Sequence, residues 1–508
     1  MKTWRGMVLL CSLAMGCGGP LPEQEDEQTQ ASTPAEPEEG ELSAELWRRP
    51  ALGTARLVKD IFPPSEAPRF FAPSPESQVE FRGRLFFAAN FEDGRRELWK
   101  SDGTSPGTVP VMRFPPPPEL SFEDAMRELT PVGSRLFFVV GDETHGRELW
   151  VSDGTTRGTH RVRDITPGLG DSELFDLRAV GGRLLFFRFI PPAGPAPARL
   201  ELWRSDGTEA GTVRVEDLGP EAGVLASQAV VGDTLFFALS EPVHGTELWK
   251  SDGTEAGTGL VKDIVRGPES STPFSLRTVG RHVFFAATEP DHGTEVWRSD
   301  GTEDGTELVA DLVPGPASEF PSLLDAIGSC LYVARSDPSD RLMRLYRLKN
   351  SDDGVRVTLV TTLPNPFAGD PSATPFITTF TVAGRKLFFG LGISTPGPAP
   401  RDVQLWVTDG TRSGTKLLHR PLSLSDEFGS QLFALDDRIL FTGADTGGVN
   451  LEPWVSDGTV RGTRRVQEIA PGGASSFPVG YTRVGSKVFF IADDTVHGNE
   501  LWVLPLRR

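Results

Sequence analysis

The chain has 508 residues, a formal net charge of −19 at neutral pH and three cysteines. An acidic surface of this size repels phosphate backbones, so nucleic acid is excluded as an expected partner. The 55 glycines and 43 prolines indicate many turns, which favours an all-β class.

Residues 1–16 have the pattern of an export signal. Lys2 and Arg5 precede an apolar run that is too short to span a bilayer. The end of this run, Leu13-Ala14-Met15-Gly16-Cys17, resembles the lipobox of bacterial lipoproteins. The resemblance implies cleavage before Cys17 and attachment of a lipid to its thiol. A plain secretory signal with a coincidental cysteine is the alternative interpretation.

Residues 17–44 are predicted to form a disordered acidic tether that begins at the lipidated cysteine. The segment is rich in Glu, Gln, Pro, Ser and Thr and has almost no apolar residues, so it cannot bury enough surface to offset the entropy of ordering. With Cys11 in the signal and Cys17 acylated, Cys330 is the remaining thiol and no intrachain disulfide is expected. We therefore expect an exported protein, anchored by its lipid at the outer membrane or cell surface.

One twelve-residue motif recurs through residues 45–508. Its clearest copy is Glu247-Leu248-Trp249-Lys250-Ser251-Asp252-Gly253-Thr254-Glu255-Ala256-Gly257-Thr258. A period of about fifty residues indicates one propeller or solenoid rather than several unrelated domains. Weaker copies begin at Glu45 and Glu500. Leaving aside Trp47, the tryptophans that share the motif's aromatic position are Trp99, Trp150, Trp203, Trp249, Trp297, Trp406, Trp454 and Trp502.

The fourth repeat shows the unit most clearly. Residues 226–231, 234–239, 247–251 and 257–264 have the composition of short strands, and Gly-containing turns separate them. Four short antiparallel strands are the content of one propeller blade.

The apolar pattern favours blades over a half-exposed sheet. Segments such as Leu235-Phe236-Phe237 place large apolar residues on both faces of the second strand, which is typical of a strand buried on both sides. Nine second-strand cores begin at Leu85, Leu136, Leu185, Leu235, Val283, Leu331, Leu387, Ile439 and Val488.

The ends of the chain complete this count. Thr54–Ile61 is an unattached fourth strand, and Glu500–Leu504 is a third strand that lacks its fourth. Pairing the two predicts an all-β propeller of about nine four-stranded blades, closed by the N- and C-terminal strands. Two smaller propellers, divided near the poor sixth repeat at residues 329–364, are the alternative. In that repeat Tyr346 replaces tryptophan and no threonine follows Gly354, departures that we interpret as drift.

The Ser-Asp-Gly-Thr element is predicted to be a structural turn. Aspartate bonds the backbone two residues on, and glycine accepts a positive φ. A calcium site is the alternative, but calcium takes six to eight oxygen ligands and each turn offers one carboxylate. The aspartates concerned are Asp102, Asp153, Asp206, Asp252, Asp300, Asp409 and Asp457.

Four histidines share one position in the repeat, each followed by glycine: His145, His244, His292 and His497. Several imidazoles on one rim suggest a metal, yet on a wide ring they stand too far apart to share an ion. We expect turn residues bonded to the backbone instead.

The Glu-Leu-Trp-x-x-Asp-Gly-Thr pattern is similar to that of the ELWxxDGT repeat family, exported bacterial proteins without an assigned activity. The resemblance covers nearly everything after residue 44 and implies a repeat fold in a cell-envelope setting. It assigns no catalytic or binding residue. The Asp-Gly-Thr turns also resemble the Asp-box turns of sialidase-like propellers, which is a structural likeness only.

Irregular insertions at residues 114–123, 189–198 and 391–402 lie in connections that share one face of such blades, and this variable face is the binding candidate. We hypothesise a monomeric, non-enzymatic binding or scaffold propeller for a protein or glycan partner, with no catalytic residue, cofactor or metal. An envelope polysaccharide hydrolase or lyase and a calcium-dependent adhesin are the alternatives.

Overall fold

The computed structural model describes residues 51–62, 75–91, 94–115, 125–142, 144–317, 320–394, 396, 402–422, 431–445 and 449–507. The chain divides into two compact units, Met1–Arg49 and Pro50–Arg508, and the first lies outside the described residues. The export signal, Cys17, the tether and Trp47 therefore stay predictions. In the described ranges no helix is long and apolar enough to cross a membrane.

The described strands form nine antiparallel sheets, and each sheet is one blade. The described part of the chain begins with β1 (Ala51–Leu52) and β2 (Arg56–Lys59), which belong to the last blade. Blade I is β3 (Pro75–Phe81), β4 (Arg84–Asn90), β5 (Arg96–Ser101) and β6 (Val109–Phe114); blade II is β7 (Arg127–Val132), β8 (Arg135–Asp142), β9 (Gly146–Ser152) and β10 (His160–Arg161); blade III is β11 (Glu173–Val180), β12 (Arg183–Ile190), β13 (Arg199–Ser205) and β14 (Val213–Pro220).

The middle blades follow the same order. Blade IV is β15 (Gly223–Val231), β16 (Thr234–Glu241), β17 (Gly245–Ser251) and β18 (Gly259–Lys262); blade V is β19 (Phe274–Val279), β20 (His282–Glu289), β21 (Gly293–Ser299) and β22 (Glu307–Ala310); blade VI is β23 (Ser322–Ile327), β24 (Cys330–Asp337), β25 (Leu342–Ser351) and β26 (Gly354–Leu363).

The last three blades complete the ring. Blade VII is β27 (Pro375–Ala383), β28 (Lys386–Ile393), β29 (Asp402–Thr408) and β30 (Lys416–His419); blade VIII is β31 (Phe433–Leu435), β32 (Arg438–Gly443), β33 (Glu452–Ser456) and β34 (Arg464–Arg465); blade IX is β35 (Val479–Val484), β36 (Lys487–Asp493) and β37 (Asn499–Arg507), completed by β2 and β1.

Blade IX joins the two ends of the propeller. Strand β2 pairs antiparallel with β37, with Leu57 opposite Trp502, and β1 pairs with the end of the same strand. The carboxylate of Glu500 also accepts the amides of Ile61 (3.0 Å) and Phe62 (2.6 Å). The predicted nine-bladed ring closed by terminal strands is confirmed, and two separate rings are excluded.

The core consists of nine apolar clusters, one at each interface between neighbouring blades. Phe86 of the second strand of blade I packs in the cluster with blade II, whereas the adjacent Phe87 packs in the cluster with blade IX. The predicted burial of second strands on both faces is thus confirmed.

The connections between strands leave the ring on two opposite faces. The "turn face" carries the first-to-second and third-to-fourth connections, and the "loop face" carries the second-to-third and fourth-to-first connections, because the strands of each blade alternate in direction. On the turn face, a Cβ on Gly207 of blade III would lie 2.6 Å from Arg135 of blade II. On the loop face, a Cβ on Gly245 would lie 2.0 Å from the carbonyl oxygen of Glu269.

We predict that Glu500 makes the closure of the ring sensitive to pH. Burial raises the pKa of Glu500 to about 8, and its Oε2 has no hydrogen-bond partner in the described chain. In the unfolded chain this carboxyl ionises near its ordinary pKa of 4.5. The contribution of Glu500 to the free energy of unfolding is therefore complete below pH 4.5 and is lost as the pH rises toward about 8. Glu500→Gln, which keeps an acceptor for both amides, should flatten the dependence of Tm on pH between about 5 and about 8.5.

Glu97→Gln is the matched control. The Glu97 carboxylate contacts the Arg113 Nε at 3.0 Å and the Trp99 Nε1 at 2.8 Å. Removing the charge of Glu97 should lower Tm at pH values of both about 5 and about 8.5, and the dependence of Tm on pH should stay as in the unmodified protein. An unchanged slope in Glu500→Gln would contradict the prediction.

Candidate functional site

The recurrent glutamate of the motif lies within the first three residues of the third strand, close to the loop face. In five blades its carboxylate holds the connection that leads into the next blade. Glu247, for example, accepts the amide and hydroxyl of Ser271 at 3.0 and 2.6 Å and the amide of Val265 at 3.2 Å. The five residues are Glu148, Glu247, Glu295, Glu452 and Glu500, and burial raises the pKa of each, to about 7 for Glu295.

In other blades the same position binds the motif tryptophan. Glu97 and Glu201 accept the indole Nε1–H groups of Trp99 and Trp203 at 2.8 and 2.9 Å. Gln404 does the same for Trp406. In the blades whose glutamate bonds the connection, the indole Nε1 of the motif tryptophan has no hydrogen-bond partner among the described residues. These tryptophans are Trp150, Trp249, Trp297, Trp454 and Trp502.

Each motif tryptophan packs against the preceding blade. Trp99 lies in a cluster with Val58 and Phe489 of blade IX, and the Lys59 ammonium lies 5.5 Å from its ring centroid. Tyr346 takes the equivalent place between blades V and VI. The corresponding clusters contain Trp150, Trp203, Trp249, Trp297, Trp406, Trp454 and Trp502.

The Ser-Asp-Gly-Thr segment forms the third-to-fourth turn on the turn face. The Asp252 Oδ1 accepts the hydroxyl of Thr254 at 2.7 Å and its amide at 2.8 Å, and these bonds lower the pKa of Asp252. The Ser251 hydroxyl is 2.7 Å from that of Thr258. The same Asp–Thr bond occurs at Asp102, Asp153, Asp206, Asp300, Asp409 and Asp457.

These turns also connect neighbouring blades. The Lys250 Nζ donates to the carbonyl oxygen of Gly301 in the turn of blade V at 2.6 Å. A Cβ on Gly301 would lie 3.1 Å from Phe236 of blade IV.

The carboxylates of the turn aspartates are bonded to threonines of their own turns. Within the described residues no group of three or more His, Cys, Asp or Glu is arranged to hold a metal ion.

The four repeat histidines lie in second-to-third connections on the loop face, and each bonds a carboxylate three residues earlier. His244 Nδ1 is 2.6 Å from Glu241 Oε1, which also accepts the His244 amide at 2.7 Å. The pKa of His292 is raised by its bond to Glu289. The other pairs are Asp142–His145 and Asp494–His497. We expected these histidines to bond the backbone, and this expectation is wrong because each ring nitrogen pairs with a carboxylate. The sequence does show an acidic residue three positions before each histidine.

The first strands of neighbouring blades lie next to one another and are joined by polar side chains. Glu128 and Asp176 stand at positive φ in bulges of β7 and β11. Asp176 Oδ2 accepts a hydrogen bond from the side-chain Nε2 of Gln228 at 2.8 Å. Ser227 Oγ accepts one from the backbone amide of Leu276 at 2.8 Å. These polar groups connect the first strands of blades III and IV and of blades IV and V.

Exposed apolar side chains concentrate on the loop face. Of twelve large hydrophobic residues that are exposed in the described ranges, eight lie in or next to second-to-third or fourth-to-first connections. They are Leu169, Phe189, Val243, Phe320, Val449, Phe477, Val479 and Val496. Of the three predicted insertions, 189–198 contributes Phe189 to this set. Residues 116–123 of the insertion 114–123, and residues 395 and 397–401 of the insertion 391–402, lie outside the described residues.

No protein-family model and no curated sequence matches this chain. Solved structures of similar fold include the Pyrococcus horikoshii acylaminoacyl peptidase, at 11% identity and TM-score 0.33 over 75% of this chain and 59% of that chain. Saccharomyces cerevisiae Sqt1 has 9% identity and TM-score 0.39 over 86% and 96% of the two chains. The polysaccharide lyase Uly1 has 10% identity and TM-score 0.39 over 90% and 99%.

The chain spans 51–59% of the length of the first three solved proteins, which are peptidases or hydrolases. The β-propeller fold rests on the nine sheets of the structure itself. The similarity to these solved proteins assigns no family. It carries no argument for a shared activity. The resemblance to ELWxxDGT repeats stays a prediction.

The geometry of the turn predicts the effect of the second motif glycine. A Cβ on Gly257 would lie 2.1 Å from Asp252 Oδ1. Gly257→Ala must displace the carboxylate that holds the turn, so we expect a loss of about 1–3 kcal/mol in the free energy of unfolding, measured by denaturant titration.

The control is Gly259→Ala, two residues on, where a Cβ meets nothing within 4 Å. This substitution should be neutral or slightly stabilising, because alanine reduces the entropy of the unfolded chain. Equal effects of the two substitutions would show that the Asp252 carboxylate does not set the requirement for glycine.

Proposed function

We propose that this protein is a non-enzymatic binding propeller of the cell envelope, attached by a lipid on Cys17, whose loop face binds a protein partner. The observation that carries the proposal is the concentration of eight exposed apolar side chains on that face. Single exposed hydrophobic residues are ordinary, but a face that collects them is typical of interaction sites. The opposite face is occupied by repeated turns that connect blades.

The composition of the apolar set favours protein over glycan. Five of its eight members are aliphatic, and three are phenylalanine (Phe189, Phe320 and Phe477). Aliphatic side chains gain most from contact with another apolar surface, whereas glycans present mainly hydroxyl groups to be hydrogen-bonded.

The position of the recurrent carboxylates supports binding rather than hydrolysis. Glu247 and its four counterparts are buried beneath the connections and bond backbone amides. The turn aspartates are bonded to their own threonines. Neither set presents a free carboxylate at the loop face for general acid or base chemistry.

The test compares a loop-face variant, Val243→Ser/Phe477→Ser/Val496→Ser, with a control, Leu417→Ser/Val460→Ser, which removes exposed apolar groups elsewhere. The full-length protein and both variants are titrated against purified envelope proteins and a glycan array, with and without calcium. We expect a protein ligand whose affinity falls at least about tenfold in the loop-face variant and is unchanged in the control.

Three results would contradict this. If the loop-face variant binds the ligand as tightly as the unmodified protein, the loop face is not the binding site. If the protein binds only glycans, the partner is a glycan and not a protein. A chelator-reversible rise in Tm with calcium would favour the adhesin alternative.

A further inference from the structure

Every blade of the ring exposes the outer edge of its fourth strand, and an unpaired edge is a template for another strand. In six blades that strand has only two or four residues. Strand β6 contains Pro110, and β14 has two register shifts and ends at Pro220. These are the usual means of protecting an edge.

Blade VI lacks this protection. Strand β26 is ten residues long, stands at the end of its sheet and contains neither proline nor an acidic residue. A single bulge near Val360 leaves residues 354–359 in regular pairing with β25. Arg356 is the only charged residue of the strand.

The length of β26 follows from the degenerate repeat. In blade IV the last pair before the turn is Lys250 with Gly259, so residues 251–258 are spent on the turn. In blade VI, Ser351 pairs with Gly354 around a two-residue turn. Because the motif turn is absent from this blade, residues that form a turn in the other blades belong to the outer strand here.

The free edge is apolar at its centre. Val357 and Leu359 point to the same side of the strand and are 38% and 51% exposed. A groove of about 540 Å³ lies between β26 and the turn of blade VII, and its lining includes Leu359, Thr358 and Arg412. An extended chain on this edge would meet the exposed side chains of Val357 and Leu359 and a groove of mixed polar and apolar lining.

The charges at this edge are mainly basic, although the protein is acidic. Arg356 and Arg412 form no ion pair in the described part of the chain, and Arg347 and Lys349 lie on the neighbouring strand. Asp352 is paired with Arg281, and Asp409 is held in its turn. Two further acidic side chains lie close by. Asp353 stands in the hairpin turn, and Glu307 of β22, the strand of blade V that contacts β26, is paired with Arg298. Distant negative charges are screened beyond about 8 Å at physiological ionic strength.

We propose that β26 is a strand-addition site for an extended acidic peptide segment of a partner protein. The segment pairs its backbone with the open edge, places alternate β-branched residues against Val357 and Leu359, and directs flanking carboxylates to Arg356 and Arg412. Backbone hydrogen bonds supply affinity in such complexes, and alternate side chains supply specificity. The site is separate from the loop face.

The probe is a fluorescein-labelled peptide, Glu-Asp-Val-Thr-Val-Thr-Val-Asp-Glu, and fluorescence anisotropy with the full-length protein measures its binding. One control peptide has proline at both threonine positions, which removes backbone donors. A second has lysine at every acidic position. We expect saturable binding of the first peptide that weakens as salt is raised, and binding at least about tenfold weaker for both controls.

The protein variants are Val357→Glu/Leu359→Glu and, as a matched control, Leu417→Glu. Leu417 is 38% exposed, like Val357, but lies on the four-residue strand β30. All three positions are at the surface, so thermal melts should show folded proteins. The double variant should lose peptide binding at least about tenfold, whereas Leu417→Glu and the loop-face variant should retain it.

Several outcomes would overturn the proposal. These are absence of peptide binding by the unmodified protein, equal binding of the proline peptide, or undiminished binding by the double variant. A dimer in size-exclusion chromatography that the double variant abolishes would assign the edge to a second copy of this chain instead.

Discussion

Every blade of this protein depends on being packed between two others. Adjacent residues of the second strands, such as Phe86 and Phe87, lie in different interface clusters, so no blade can bury both of its faces alone. The ring must therefore close, and closure requires the first and last strands to pair within blade IX. Glu500 and the amides of Ile61 and Phe62 secure that pairing at a buried site where an ionised carboxylate is costly.

The recurrent motif divides into parts with different partners. Its glutamate binds either an indole or the connection to the next blade. Its tryptophan packs on the preceding blade, and its Asp-Gly-Thr turn accepts a hydrogen bond from the preceding blade. The motif therefore recurs within the chain because its tryptophan and its turn make the same kind of contact in each blade. The recurrent glutamates and aspartates, which could serve as catalytic groups or metal ligands, are engaged in these contacts. Surfaces where the repeat is interrupted are therefore the better candidates for binding.

Two such surfaces stand out, and they differ in kind. The loop face combines connections of different length from many blades and collects exposed apolar side chains. The outer edge of blade VI arises from a single altered repeat, where a two-residue turn replaces the longer motif turn and β26 extends to ten residues. One surface presents side chains at loop tips, whereas the other presents an open backbone edge with basic residues beside it.

The sequence by itself determined the all-β class, the four-strand unit, the number of blades and the pairing of the terminal strands, because period, strand pattern and burial on both faces are local properties. It also identified the structural turn at residues such as Asp252. It did not determine which group each buried glutamate binds, the carboxylate partners of the histidines, or the open edge at Leu359. Those features depend on contacts between residues far apart in the chain or on which strand lies outermost, and only the closed ring brings such groups together.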